Sequence, residues 1–160
     1  GTGSAGMETA VANFVEPGSK FAVLANGFFC DRISEMGRRY GAEVVRLEKP
    51  WGEAFSAEEA AGFIQKQKPQ VVAFVQAETS TGALSDVRTL AGLARQRGLL
   101  SIVDAVTSLG GSKLQVDAWG VDAVYSGSQK CLSCTPGLSP VTFSERAVDR
   151  VKTRKTKGEF

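Results

Sequence analysis

Leu100-Ser101-Ile102-Val103-Asp104-Ala105-Val106 and, further on, Ala123-Val124-Tyr125-Ser126-Gly127-Ser128-Gln129-Lys130 decide the fold. Each opens on a short apolar run and ends on a charged or small polar group. Runs bounded in this way have the pattern of strands buried on both faces. Phe21–Ala25, Val44–Leu47, Val71–Val75 and Pro140–Phe143 also read as strands, several of them continuous apolar runs. Between these runs lie helical periodicities at about Ala5–Phe14, Asp31–Tyr40, Ala57–Gln67, Asp86–Arg97 and Glu145–Lys152. Ser56 with Glu59 forms a capping box. Glu16-Pro17-Gly18, Tyr40-Gly41 and Arg97-Gly98 supply helix stops. Strand–helix alternation of this kind predicts βαβ units, an α/β class and a mainly parallel sheet.

In an open parallel sheet, ligands sit beyond the carboxyl ends of the strands. Four groups fall there: Asn26–Phe29, Gln76–Gly82, Asp104–Val106 and Ser126–Lys130. A carboxylate at the end of a buried strand is costly unless it is paired. Asp104 is therefore expected to face a cation, either a ligand nitrogen or Lys130 in a structural pair. A lysine just past a buried strand is expected to be partly desolvated. It would then lose proton affinity and become a usable nucleophile.

Gly1-Thr2-Gly3-Ser4-Ala5-Gly6 spells G-x-G-x-x-G. No apolar run precedes it, and no acidic residue occupies the place about twenty residues on that would hold a ribose. Small residues opening a helix still leave free N–H groups and a positive dipole end for an anion. A phosphate cradle without a dinucleotide, or a plain helix start, are the two readings.

Composition bounds the rest. A chain of 160 residues with 42% hydrophobic and 22% charged residues suits one globular domain. The net charge of +2 gives no expectation of nucleic acid or a membrane surface as partner. No apolar run approaches the roughly 18–20 residues that span a bilayer. No signal peptide is visible, so the cytoplasm is expected. The chain begins at Gly1 and not Met, which leaves an organelle-targeting signal open. With no histidine, a Ser-His-Asp triad, a Cys-His pair and a histidine-ligated metal are excluded from this segment. Of three cysteines, Cys131 and Cys134 form C-x-x-C without a second ligand pair. They are weighed as a redox pair or half a zinc site against incidental thiols, and no metal is expected. The basic run Lys152–Lys157 reads as a solvated helix end or a phosphate-binding tail.

Taken in order, these segments resemble the class V aminotransferases of the pyridoxal-phosphate (PLP) fold-type I group, above all the alanine–glyoxylate / serine–pyruvate family. Gly1–Glu8 resembles the phosphate-binding helix start, and Ala25-Asn26-Gly27-Phe28-Phe29 the segment with the ring-stacking aromatic. Glu78-Thr79-Ser80-Thr81-Gly82 resembles E-[ST]-S-T-G, and Val103–Gly111 resembles V-D-[SA]-V-x-S-L-G-G. Tyr125–Lys130 resembles the cofactor-lysine motif, with Pro136-Gly137 following. Arg154–Lys157 resembles a later segment.

The resemblance implies a three-layer α/β/α large domain, with residues 1–160 as its PLP-binding core. It implies that an N-terminal segment and a C-terminal small domain are missing, so the chain alone is expected to be inactive. Lys130 would be the Schiff-base lysine and Asp104 the partner of the pyridine nitrogen. Thr79 would bind the phenolic oxygen. Phe29 would stack on one ring face and Val106 pack on the other. Thr2, Gly3, Ser4 and Gln129 would hold the phosphate of pyridoxal 5′-phosphate. Phe29 stands where relatives often carry Trp, and Ser4 where some carry His. The implied reaction is transamination of alanine or serine with glyoxylate or pyruvate, in a homodimer. The alternatives are 2-aminoethylphosphonate–pyruvate transamination, cysteine desulfuration, or a non-enzymatic phosphate- or nucleotide-binding module. Gln129, where a desulfurase typically has histidine, lowers the second.

Overall fold

The strands are β1 (Lys20–Ala25), β2 (Glu43–Glu48), β3 (Val71–Val75), β4 (Leu100–Asp104), β5 (Ala123–Tyr125) and β6 (Val141–Phe143). They form one sheet in the order β2-β1-β3-β4-β5-β6. The first five run parallel. β6 pairs antiparallel with β5. No helix separates β5 from β6, so the chain folds straight back and cannot make the crossover that a parallel pair needs. The computed structural model describes residues 1–156.

The helices are α1 (Gly3–Phe14), α2 (Phe28–Arg39), α3 (Ala57–Gln67), α4 (Val87–Gln96) and α5 (Glu145–Lys152). One core joins Met7, Val11 and Phe14 of α1 and Ile33 of α2 to one face of the sheet, with Ala147 of α5 beside them. The second core lies on the other face, under Ile64 of α3 and Leu90 and Ala94 of α4. β1, β3 and β4 feed alternate side chains into both cores. This explains their continuous apolar runs, and it gives the expected three layers.

Local rules account for most boundaries. Ser56 Oγ accepts from Glu59 N–H, and Glu59 returns the bond to Ser56 N–H. Asp86 caps α4 by accepting from Thr89 N–H and so lies just outside the helix. α2 departs from expectation: it begins at Phe28 and not Asp31. Its first N–H groups find acceptors on a distant loop, which no local pattern announces. The basic run also differs from a freely solvated helix end. Arg154 turns back and donates to the carbonyls of Ala12 and Val15, which lie at the carboxyl end of α1 where carbonyls lack helical partners. Lys157 lies outside the described residues. Among those described, no helix is long and apolar enough to cross a membrane.

Candidate functional site

β1, β3, β4 and β5 are adjacent and parallel, so their carboxyl ends deliver the four expected groups to one edge. The chain order reverses between β1 and β3, the position at which open α/β sheets leave a crevice.

Asp104 ends β4 and is 2% exposed. Its Oδ1 accepts from Val106 N–H at 2.8 Å, and its Oδ2 accepts from the Tyr125 hydroxyl at 2.8 Å. Tyr125 stands opposite Asp104 in the β4–β5 register. Burial pushes the Asp104 carboxyl up to about 6, and the nearby Glu78 charge adds to this, against the two hydrogen bonds. Burial, then the Asp104 charge, drive the Tyr125 phenol well above its ordinary value, so it remains a donor. Among the described residues no ion pair to Asp104 is present. The structural Lys–Asp pair is therefore not formed.

Lys130 departs from expectation as well. The chain leaves β5 through buried Ser126 and Ser128, and then turns outward, so Gln129 and Lys130 are exposed and not partly desolvated. Ser128 Oγ donates to Thr135 O, and Cys134 N–H donates to Ser128 O, which fixes the base of this turn. The neighbouring Cys131 Sγ reaches Thr107 O at 3.2 Å. That contact ties the lysine turn to the turn after Asp104. Cys131 and Cys134 are both free and exposed, and Cys134 Sγ bonds instead to Leu132 O.

α1 points its first turn into the same place. Thr2 is its N-cap in extended conformation, and its side chain makes no cap bond. The Thr2 hydroxyl and the N–H groups of Gly3 and Ser4 are thus left to an outside acceptor, while Ala5 N–H donates to Thr2 O. Gly3 lies so close to Val106 that a Cβ would stand 2.8 Å from Val106 Cγ2. On Gly127 a Cβ would stand 3.4 Å from Val106 Cγ1 and 3.0 Å from Gln129 Oε1. Val106 is therefore the hub between the helix start and the Gln129 turn. Ser4 Oγ accepts from Arg32 at 3.0 Å, so this hydroxyl is shared with α2.

Phe29, half-buried in the first turn of α2, packs edge-on to Phe28 with centroids 5.5 Å apart. Thr79 is exposed at the tip of the loop after β3. Thr107 Oγ1 donates to Ala77 O at 2.6 Å, joining that loop to the Asp104 turn. A groove of about 1150 Å³ runs between α1 and α2, but of the candidate residues only Ser4 lines it. The candidate site is instead the open strand-end surface.

The residues suit a pyridoxal phosphate. A helix start with an uncommitted hydroxyl fits a phosphate, a buried carboxylate with no cation fits a protonated ring nitrogen, and an unpaired lysine fits a carbonyl. Tyr125, Glu78 and Ser80 are site-forming residues to which the sequence reading gave no role. Tyr125 becomes legible only through strand register, and the other two only through the distant helix end they hold.

Comparison with known proteins agrees with this geometry. The chain is 40% identical over 155 residues to the (S)-ureidoglycine–glyoxylate transaminase of Bacillus subtilis, covering 97% of this chain and 37% of the relative. It is 41% identical to the alanine–glyoxylate aminotransferase of Drosophila melanogaster, covering 98% of this chain and 40% of the relative. The crystal structure of an alanine–glyoxylate aminotransferase from Nostoc sp. superposes with a TM-score of 0.97 at 48% identity, covering 99% of this chain and 42% of that one. The chain thus spans well under half the length of these relatives. The family model described as aminotransferase class-V matches residues 1–160, and the chain belongs to that family.

Proposed function

We propose that this chain is the cofactor-binding core of a PLP-dependent aminotransferase. The full protein transfers the amino group of a small amino acid, alanine or serine, to glyoxylate or pyruvate. One observation carries the reading: Asp104 is a buried carboxylate with no cation among the described residues, facing the edge at which the Lys130 turn and the start of α1 converge. That glyoxylate appears in the names of both relatives described above supports it as acceptor.

When bound, PLP supplies an electron sink for the substrate carbanion. The other roles belong to the chain. Asp104 holds the proton on the ring nitrogen, and Tyr125 and Val106 N–H fix the carboxylate for that task. Lys130 would hold the cofactor through its amine and would take up and return the proton at the substrate Cα. Thr79 donates to the phenolic oxygen. Phe29 and Val106 clamp the two ring faces. Thr2, Gly3, Ser4 and Gln129 hold the phosphate. The family resemblance implies that an arginine for the substrate carboxylate comes from a C-terminal domain and further phosphate contacts from a second subunit of a homodimer.

The test is borohydride reduction of the full-length protein followed by peptide mapping. The pyridoxyl group is expected on Lys130, and its appearance on another lysine would overturn the assignment. A panel of amino donors against glyoxylate and pyruvate then fixes the substrate pair.

A further inference from the structure

Gly27, the N-cap of α2, makes no side-chain cap bond. Two residues about fifty positions away do that work. Phe28 N–H donates to Ser80 Oγ at 3.0 Å. Phe29 N–H donates to the Glu78 carboxylate at 3.2 Å and 3.4 Å. Ser80 Oγ donates in turn to Glu78 Oε1 at 2.8 Å, and Ser80 N–H donates to the same oxygen at 3.2 Å. Glu78 is 1% exposed, so the bonds to its carboxylate are partly shielded from water, while the Phe28–Ser80 bond is exposed. An anion at a helix start also meets the positive end of the helix dipole.

The fit depends on glycine. A Cβ at position 27 would stand 2.6 Å from Glu78 Cδ and 2.7 Å from Ser80 Oγ. The loop itself is held by backbone bonds. Glu78 N–H donates to Ala83 O, and the Glu78 carbonyl accepts from Gly82 N–H, with Gly82 at φ 76°. Thr79 lies between the two clamping residues.

We infer that Glu78 and Ser80 are positioning residues that lock Phe29 and Thr79 into one unit, so that the ring-stacking and phenolic-oxygen contacts are set together. This rests on the proposed PLP site. The geometry assigns Glu78 no contact with the reacting atoms. Its effect passes through Phe29, whose N–H it holds, and through Thr79, its chain neighbour; its charge also acts on Asp104, so Ser80→Ala, which leaves that charge in place, is the arm that isolates the clamp.

The experiment is a double-mutant cycle on PLP affinity in the full-length protein, with visible circular dichroism of the bound cofactor as a second readout. Phe29→Leu alone is expected to weaken PLP about tenfold. Glu78→Gln, which removes the charge and leaves one acceptor, is expected to weaken it by about tenfold and to reduce the dichroic band. In the Glu78→Gln background, Phe29→Leu is expected to cost little more. Ser80→Ala serves as the milder arm should Glu78→Gln fold poorly, with the same non-additivity at smaller amplitude. Additive losses with an unchanged dichroic band in the single clamp variants would overturn the inference and leave the PLP site standing. A Phe29→Leu variant that binds PLP as the wild type does would also overturn the inference, whereas a wild-type protein that binds no PLP would overturn the proposed site.

Discussion

Two aspartates, one at each end of the sheet, are buried to the same degree and treated oppositely. Asp122, before β5, is 1% exposed and saturated. It accepts from Ser101 N–H, the Ser144 hydroxyl and both Nε and Nη2 of Arg146, the last at 2.6 Å. Arg146 also reaches the carbonyl of Leu99. This clasp joins β4, β5 and α5 and leaves no capacity for a ligand. Asp104, at the other end of β4, has a hydroxyl and one N–H but, among the described residues, no cation. A buried charge with its countercharge in place is a fastener. A buried charge without one marks the place where a cation is meant to arrive.

The largest effect expected from that contrast is at the fastener. Asp122→Ala strips a charge partner and leaves Ser101 N–H without its acceptor. It is expected to destabilise the full-length protein by about 3 kcal/mol or more, measured by denaturant unfolding, with cofactor affinity unchanged in the folded fraction. Asp104→Asn is nearly isosteric and is expected to do the reverse. The variant is not expected to be less stable than the wild type, while transamination falls by about 10²-fold, close to 3 kcal/mol in the barrier. Equal damage to stability from both variants would erase the distinction.

The pH dependence sharpens it. The Asp104 carboxyl lies at about 6 in the fold against its ordinary 3.8. The folded apoprotein therefore binds this proton more tightly than the unfolded chain does. Stability from this group is present below about pH 4 and is lost as pH rises towards 6. The gap sets an upper bound of about 3 kcal/mol. Asp104→Asn is expected to flatten this part of the apoprotein profile, which thermal unfolding between pH 4 and 7 would register. An unchanged slope would mean that Asp104 titrates near its ordinary value. The smallest effect concerns Ser144, which caps α5 by accepting from Ala147 N–H while donating to Asp122. Ser144→Ala is expected to cost about 1 kcal/mol, without change in activity.

Much of this was legible in the sequence, because buried parallel strands announce themselves by composition. Val71–Val75, Ala123–Tyr125 and Ala57–Gln67 have the expected bounds. The gathering of Asp104 and Lys130 at one edge follows from strand–helix alternation; the place of the Gly3 helix start against Val106 does not. What stayed hidden depends on contacts between segments far apart in the chain. Tyr125 reaches Asp104 only through register, and Asp122 finds Arg146 only once α5 docks. α2 starts three residues early because Glu78 and Ser80 cap it from another loop. Lys130 was expected to be partly desolvated, but the strand ends five residues before it and the turn carries it into the open.

The claim that Asp104 awaits a cationic ring nitrogen is tested most directly by ¹⁵N NMR of the full-length protein loaded with PLP labelled at that nitrogen. In the wild type the shift is expected to be that of a protonated pyridine across neutral pH, and in Asp104→Asn that of a neutral one. A neutral nitrogen in the wild type, or one equally protonated in both, would contradict the account.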